Sequence, residues 1–287
     1  MVALTLLLSV AGIVMSALMQ STLTQGTISN RTEMHSSVRS ATEVLQQEIG
    51  QAGRVALPAP VTLAAAVSST GLLTVGVSSA AGMFTGELLV IDTGANQETV
   101  AATAVVPDTN QITAIFNATH ANGAPVTVAG AFATGIVPTN MTNGSTSTVL
   151  KMYGDINGDG NMVYVEYKCD TAGGNLYRNV MSFTAATKPA LTSAQILLPN
   201  ILANPGGTPC FNYQQKTVGA DTYVVDVAVT LTVQTENPDP QTYQYQTETK
   251  ALLNVSPRNV FEGWQLASSS ITKRIQPMPA SVTALLP

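Results

Sequence analysis

The sequence predicts an α+β protein in which a long N-terminal α-helix packs on an antiparallel β-sheet, with a small all-β module inserted between them. Three observations predict this fold class. Residues 1–30 carry no charged side chain, residues 31–54 place apolar side chains three or four positions apart, and much of the remaining chain alternates apolar and polar residues in short runs. A spacing of three or four positions is typical of a helix with one apolar face, and alternation is typical of a half-buried strand.

The first segment, residues 1–19, reads MVALTLLLSVAGIVMSALM and is apolar apart from Thr5, Ser9, Gly12 and Ser16. A run of about 20 apolar residues is long enough to cross a bilayer as a helix. A secretory signal peptide is one alternative, but no Lys or Arg lies ahead of this run in the sequence. A buried core helix is the other, although so long an uncharged stretch is unusual for one.

The helical pattern continues beyond the apolar run. One apolar stripe is formed by Met34, Val38, Ala41, Leu45, Ile49 and Ala52. Charged residues fall mostly elsewhere around the helix, and no proline appears before Pro58. We therefore expect one continuous helix from near Met1 to about Arg54, roughly 80 Å long at ~1.5 Å per residue. Its first half suits lipid or the centre of a helical bundle, and its second half suits packing on a domain.

The rest of the chain divides into two β-rich parts. Residues 61–130 contain short alternating runs separated by Gly, Asn, Asp and Pro at intervals of about ten residues, which predicts a small antiparallel sandwich or barrel. Residues 131–148 are polar and predict a surface connector. We therefore divide the chain into an N-terminal helix at 1–54, an inserted β-rich module at 55–138 and a β-sheet domain with a C-terminal tail at 139–287.

Two strand pairs are expected in the last part. MVYVEYKC and NLYRNVMSF flank the turn DTAGG and predict a hairpin. TYVVDVAVTLTVQT predicts a half-buried strand, with YQYQTETKALLNV as its antiparallel partner. One face of that strand is expected to carry Val225, Val227, Val229, Leu231 and Val233. The helical stripe is a suitable cover for this apolar face, whereas the tail from Trp264 shows little periodicity and predicts an irregular wrap or a partly ordered end.

Composition excludes several classes of function. The chain has 12 Lys and Arg against 17 Asp and Glu, and it has no basic block that could follow a phosphate backbone, so we expect no nucleic-acid partner. The two histidines, His35 and His120, form no recognisable nucleophilic arrangement, and solvated or locally hydrogen-bonded roles are expected for both. We therefore predict no enzymatic activity, no catalytic residue and no required cofactor.

Residues 155–166 read DINGDGNMVYVE and match the spacing of an EF-hand calcium loop. The candidate ligands are Asp155, Asn157, Asp159 and Glu166. Calcium is a hard cation that takes roughly six to eight oxygen ligands. This loop leads into a strand rather than a helix, and Asn, Asp and Gly also build tight turns without a metal. The sequence therefore leaves open a structural Ca²⁺ that braces the hairpin or a metal-free turn.

The two cysteines, Cys169 and Cys210, both lie in the β-rich part of a chain whose first segment indicates export. The redox state outside the cytoplasm permits disulfides, so we expect a structural disulfide between them. The alternative is a pair of buried free thiols that act as small apolar groups.

A helix that is first wholly apolar and then amphipathic, followed by an acidic β-rich domain, resembles the type IV pilins and pseudopilins. MVALTLLLSVAG resembles the stretch after the prepilin peptidase site of that family, and EVLQQEIGQAGR resembles the helix end of its PilW-like and GspJ-like minor subunits. NLYRNV, ILLPNI, VVDVAVTLTVQT and QTYQYQTETKALLNVSPRN are similar to the same group. The resemblance covers residues 1–54 and about 150–259, but not the segment between them.

The resemblance implies a particular N-terminus. Family members begin the mature chain with a Phe-Thr-Leu-Ile-Glu-Leu type of sequence just before such a Met-Val-Ala-Leu. The glutamate of that stretch pairs with the amino terminus of a neighbouring subunit during assembly, and no residue of this chain matches it. We expect a basic leader and these first mature residues upstream of Met1; the alternative is a mature terminus at Met1 without that contact.

The resemblance also implies a function, that of a structural subunit of a type IV pilus-like or type II secretion pseudopilus filament. The subunit would lie in the inner membrane as a precursor and later in an extracellular filament or on the cell surface. Its partners would be copies of itself or other pilins, contacted through Leu6, Leu7, Leu8, Val10, Ile13, Val14 and Leu18. A minor or priming subunit is favoured over a major one. The alternative is a single-pass anchored surface-binding module, in which residues 61–130 contact a surface, a glycan or a phage.

Overall fold

The structure, a computed structural model, describes residues 2–287 except for the side chains of residues 252–254. The predicted α+β class is confirmed, because one long helix, α1 (Val2–Gln51), is followed by several antiparallel sheets. The module contains β1 (Val61–Thr62), β2 (Gly71–Gly76), β3 (Leu88–Ile91), β4 (Glu98–Ala101), β5 (Ala104–Val106), β6 (Gln111–Phe116) and β7 (Pro125–Val128). After it come β8 (Ala131–Phe132), β9 (Val149–Gly154), β10 (Val163–Asp170), β11 (Asn175–Ser182), β12 (Ile196–Pro199), β13 (Ile201–Leu202), β14 (Phe211–Val218), β15 (Asp221–Gln234), β16 (Thr247–Val255), α2 (Arg258–Ser268), β17 (Ile275–Gln276) and α3 (Ala280–Leu285).

Helix α1 is the continuous helix that the sequence predicts, and it ends at Gln51 rather than at Arg54. The chain leaves the helix at Gly53, whose φ of +82° is a left-handed conformation that favours glycine. The Gly53 N–H then donates to the carbonyl oxygen of Tyr153 at 2.9 Å, which joins the helix end to β9. The apolar stripe is confirmed, because all six of its side chains are buried: Met34, Val38, Ala41, Leu45, Ile49 and Ala52.

The stripe of α1 packs against two sheets at once. One sheet has the strand order β12-β11-β10-β9, and the other has β13, β14 and β16 all paired with β15. Val165 and Tyr167 of the first sheet and Val227 and Val229 of the second share a single core with the stripe. The sequence predicted that the helical stripe covers the apolar face of one sheet; in the structure it covers two sheets.

The predicted strand pairs are confirmed. In the hairpin β10-β11, Asp170 pairs with Asn175 across the turn, and β15 pairs antiparallel with β16. The prediction for Val225 was wrong, because a β-bulge shifts the pairing of β15 with β14 by one residue at this point. Val224 therefore joins Val227 in the core under α1, whereas Val225 packs with α2.

The module is built from two antiparallel sheets with the strand orders β1-β7-β3-β4 and β2-β6-β5. Leu89 and Ile91 of the first sheet and Ile112 and Phe116 of the second belong to one core that is separate from the core under α1. The alternating segments of the module thus form two open sheets that share one core. Within residues 61–128 these sheets do not close into a barrel. The division of the chain at residues 54 and 138 stays a prediction.

The C-terminal tail is more regular than its sequence suggests. It continues α2 to Ser268, pairs β17 in parallel with β8, and forms α3. Val282 and Leu285 of α3 are buried, and the Lys151 ammonium donates to the carbonyl oxygen of Leu286 at 2.5 Å. The tail is ordered by these tertiary contacts, which leave no periodic signal in its own sequence.

We expect Leu45→Ala to lower the free energy of unfolding by about 2–5 kcal/mol, because it leaves a cavity at a fully buried site. The matched control is Leu18→Ala in the same helix, where the side chain is exposed; it should change stability by less than about 0.5 kcal/mol. Denaturant unfolding of the full chain in detergent micelles measures both. Equal effects would contradict the division of α1 into a packed and an unpacked half.

Candidate functional site

The first half of α1 presents an uncovered apolar surface. The predicted contact residues Leu6, Leu7, Leu8, Val10, Ile13, Val14 and Leu18 are all between 52% and 69% exposed. Within residues 2–287, α1 is the one helix that is long and apolar enough to cross a membrane, and no residue of its most apolar stretch is buried inside the protein. The residues that the sequence singled out are therefore all exposed, which is consistent with contact to lipid or to other helices.

Two hydroxyl side chains in the most apolar part of this half are hydrogen-bonded within the helix. The Thr5 hydroxyl donates to the carbonyl oxygen of Val2 at 2.8 Å, and the Ser9 hydroxyl donates to that of Thr5 at 2.6 Å. A hydroxyl that is bonded to its own helix carries a smaller cost into an apolar environment. The segment is thus compatible with lipid or with neighbouring apolar helices despite its Ser and Thr residues.

The second half of α1 is fixed to the first sheet by a partly buried ion pair between Glu48 and Arg178. Glu48 accepts hydrogen bonds from the Tyr167 hydroxyl at 2.5 Å and from the Arg178 guanidinium, whose Nε lies 3.0 Å from Oε1. Burial and the Glu48 charge raise the pKa of Tyr167. Burial alone would lower the pKa of Arg178, but Glu48 outweighs it and raises the pKa. The helix therefore packs on β10 and β11 and is also held in one orientation relative to them.

The Asp155 loop is braced by protein groups. The Asp155 side chain is fully buried, and its Oδ1 accepts the backbone N–H groups of Asp159 at 3.0 Å and Gly160 at 3.2 Å. Its Oδ2 lies 3.4 Å from Arg54 Nε. The carboxylate thus organises the turn and pairs with a cation that follows α1.

The other predicted ligands do not converge with Asp155. Glu166 lies within β10, where it accepts from the Lys188 ammonium at 2.6 Å and the Tyr164 hydroxyl at 3.0 Å. Asn157 is exposed, and Asp159 accepts from the backbone of its own turn. In the part of the chain that the structure describes, no three His, Cys, Asp or Glu side chains are grouped to hold a metal. This arrangement does not fit an EF-hand site, and calcium binding stays a prediction from the spacing.

Cys169 and Cys210 form the predicted disulfide. Cys169 lies at the end of β10, and Cys210 immediately precedes β14, so the bond joins the two sheets that α1 covers. Both residues are buried in the shared core. The bond closes a loop of 41 residues, for which chain entropy alone gives a stabilisation of about 4 kcal/mol.

The histidines have roles that the sequence did not separate. His35 pairs with Glu248 of β16 at the contact between α1 and the second sheet. His120 is buried in the module, with Nε2 2.7 Å from Glu98 Oε1 and Nδ1 3.3 Å from Asp92 Oδ2. Both ring nitrogens are therefore engaged, and neither is left as a base or a metal ligand.

The two carboxylates beside His120 have lowered pKa values. For Asp92 the cause is first the backbone N–H of Thr93 and then the His120 side chain. For Glu98, burial alone would raise the pKa, but His120 and the backbone of residues 117–118 outweigh it. The cluster ties the ends of β3 and β4 to the segment before β7. Its residues are 22 to 28 positions apart in the sequence, so no local motif predicts the cluster.

A cavity of about 660 Å³ lies between the segment after β8, the β14-β15 turn and the C-terminal tail. Tyr223 and Asp221 line it, and the buried Tyr223 hydroxyl has no hydrogen-bond partner. Burial and then the Asp221 charge raise the pKa of Tyr223 to about 12. The sequence gives no sign of this cavity, because distant segments of the chain form it.

No family model, curated protein or solved structure matches this chain.

The Asp155 loop gives a prediction about stability. We expect Asp155→Ala to lower the free energy of unfolding by about 1–3 kcal/mol, since two backbone N–H groups and Arg54 lose their partner. The matched control is Asp159→Ala in the same turn, which should have a smaller effect because it loses one exposed contact. Unfolding is measured with calcium and with a chelator. If chelation destabilises the wild type but not Asp155→Ala, the loop is a metal site after all.

Proposed function

We propose that the chain is a structural subunit of a type IV pilus-like or type II secretion pseudopilus filament. In this proposal the first half of α1 enters the helical core of the filament, and the β-sheets face outward. The observation that carries the proposal is the division of one continuous helix into two environments. Its second half is buried under two sheets, whereas its apolar first half is bare.

The size of the bare surface supports this proposal. Full burial of a Val, Leu or Ile side chain is worth about 1.5–3 kcal/mol. The seven predicted contact residues are each more than half exposed, so their exposure to water costs on the order of 10 kcal/mol. Lipid and neighbouring apolar helices both remove this cost, and transfer from one to the other changes the buried apolar area little. A precursor can therefore leave the membrane for a helical bundle.

The rigid connection between the two halves favours a filament over a simple anchor. An anchor needs only a tether, and a flexible linker would serve. Here the apolar half continues without interruption into a helix that Glu48, Tyr167 and Arg178 fix to the sheet. The orientation of the domain is thus set by the orientation of the apolar half, as regular packing of subunits requires.

Within this class we favour a minor or priming subunit, on the resemblance of residues 43–54 to the helix end of PilW-like and GspJ-like subunits. We propose that the protein is a structural subunit and not an enzyme. The inner membrane would hold the precursor, and copies of the chain or other pilins would be its partners in the filament.

A second candidate function is that of an anchored surface-binding module. Leu72 of β2 and Ile115 of β6 are paired across the strands and are 64% and 56% exposed. A cross-strand apolar pair on the outer face of the module gives it a surface on which a partner could bind. This function requires the membrane helix but no contact between helices of neighbouring subunits.

We expect Leu7→Arg to abolish recovery of the protein in filaments sheared from the producing cell. A charged side chain within an apolar membrane helix costs up to about 2.5–3.5 kcal/mol, the value at the helix centre. The matched control is Leu72→Arg, since Leu72 is as exposed as Leu7 but lies in the module. Immunoblots of the sheared and membrane fractions measure the distribution.

The two candidate functions give different patterns in this experiment. If wild-type protein appears in the sheared fraction and only Leu7→Arg is lost from it, the filament proposal is supported. If wild-type protein stays entirely with the membranes and Leu72→Arg loses binding to a surface partner, the anchored module replaces it. The abundance of the chain relative to other sheared proteins separates a minor subunit from a major one.

A further inference from the structure

The loop between β15 and β16, residues 235–246, is attached to α1 near the end of its apolar segment. The Asn30 side-chain amide lies 3.4 Å from the carbonyl oxygens of Asn237 and Pro238, and the Gln241 amide donates to the Thr24 hydroxyl at 3.1 Å. A Cβ on Gly26 would lie only 2.8 Å from the ring of Pro240. This close approach explains why a glycine stands at position 26 of the helix.

The loop is also held by its own hydrogen bonds. Asp239 accepts the backbone N–H groups of Gln241 at 2.7 Å and Thr242 at 3.1 Å, and it accepts the Gln246 side-chain amide at 2.6 Å. The Tyr243 N–H donates to the carbonyl oxygen of Asp239 at 2.7 Å, and Tyr243 adopts a left-handed φ of +57°. A non-glycine residue in this conformation is uncommon. The loop therefore holds Tyr243 in a defined position.

That position exposes two aromatic side chains. Tyr243 is 82% exposed and Tyr245 is 52% exposed, which makes them the most exposed aromatic residues among the side chains described. Tyr243 and Pro240 face Met19 and Leu23 of α1 across a groove of about 380 Å³. Both exposed aromatic residues thus lie in a loop that meets α1 where its apolar segment ends.

The chemistry of this region matches a membrane surface. The apolar segment ends at Met19, and the following stretch, residues 20–30, is mostly polar but uncharged. Residues 2–19 span about 27 Å at ~1.5 Å per residue, close to the hydrocarbon thickness of about 30 Å. Tyrosine has an apolar ring and a polar hydroxyl and is enriched at the boundary between hydrocarbon and water.

We infer that residues 235–246 form a lipid-contacting surface, with Tyr243 inserted at the membrane–water boundary beside Met19 while α1 spans the bilayer. This inference rests on the membrane stage of the proposed function. The loop contains Glu236 and Asp239 but no Lys or Arg, so the contact does not depend on anionic lipids. The surface fixes how deeply the precursor sits, and Tyr243 must leave the lipid when the subunit joins a filament.

Spin labels test the inference on the full chain in phosphatidylcholine vesicles at a low protein-to-lipid ratio. Both native cysteines lie in the disulfide, so a label attaches only to an introduced cysteine. Thr242→Cys reports the loop with Tyr243 intact, Leu7→Cys reports the membrane segment, and Leu72→Cys reports an exposed site on the module. The measurement is the ratio of label accessibility to oxygen and to a water-soluble nickel chelate.

We expect the ratio at Thr242→Cys to lie between those of Leu7→Cys and Leu72→Cys and to shift toward the Leu72→Cys value when Tyr243→Ser is added. A ratio equal to that of Leu72→Cys, with Leu7→Cys still in lipid, overturns the inference and leaves the proposed function intact. An aqueous ratio at Leu7→Cys overturns the membrane stage itself. A Thr242→Cys label that is shielded from both reagents and broadened by a second label shows that another copy covers the loop, which also overturns the inference.

Discussion

The architecture depends on the burial of one helical stripe beneath two sheets. Leu45, Ile49 and Ala52 are completely buried there, and the side chains around them come from strands of both sheets. Glu48 emerges beside this stripe and receives Tyr167 and Arg178. Loss of Arg178 would leave the buried Glu48 carboxylate without its charged partner, which is costly, whereas the intact pair fixes a single geometry. This contact helps to fix the orientation of the helix N-terminal to Glu48.

The same contact explains how one helix can serve two environments. Hydrophobic burial is not directional, so the stripe alone would allow the helix to slide or rotate over the sheets. The ion pair and the Gly53 contact to β9 prevent such movement, and the disulfide joins the two sheets below the helix. A domain held in this way fixes the orientation of the bare apolar half, and the loop at residues 235–246 adds a further contact to α1 at Thr24.

The sequence predicts what depends on local periodicity. The stripe of α1, the hairpin β10-β11 and the pairing of β15 with β16 follow from spacings of three or four and of two. The bulge at Val225, the order of the tail and the placement of His120 between Asp92 and Glu98 depend on contacts between distant segments, so no window of the sequence contains them. For the candidate site, the apolar character of the residues from Leu6 to Leu18 is visible in the sequence. The spacing of the calcium-like loop, by contrast, could not show that Glu166 is paired with Lys188.

In the proposed filament, the bare half of α1 packs against the same helix of neighbouring subunits. Disulfide cross-linking of Ile13→Cys in sheared filaments tests it most directly, because this side chain is 69% exposed in the single subunit and the native cysteines are already paired. We predict covalent links between Ile13→Cys and the apolar helix of a neighbouring subunit, carrying a cysteine at a matching position, and no links from Leu72→Cys to that helix. Filaments that contain the protein but yield no Ile13→Cys cross-link with any subunit would contradict the account.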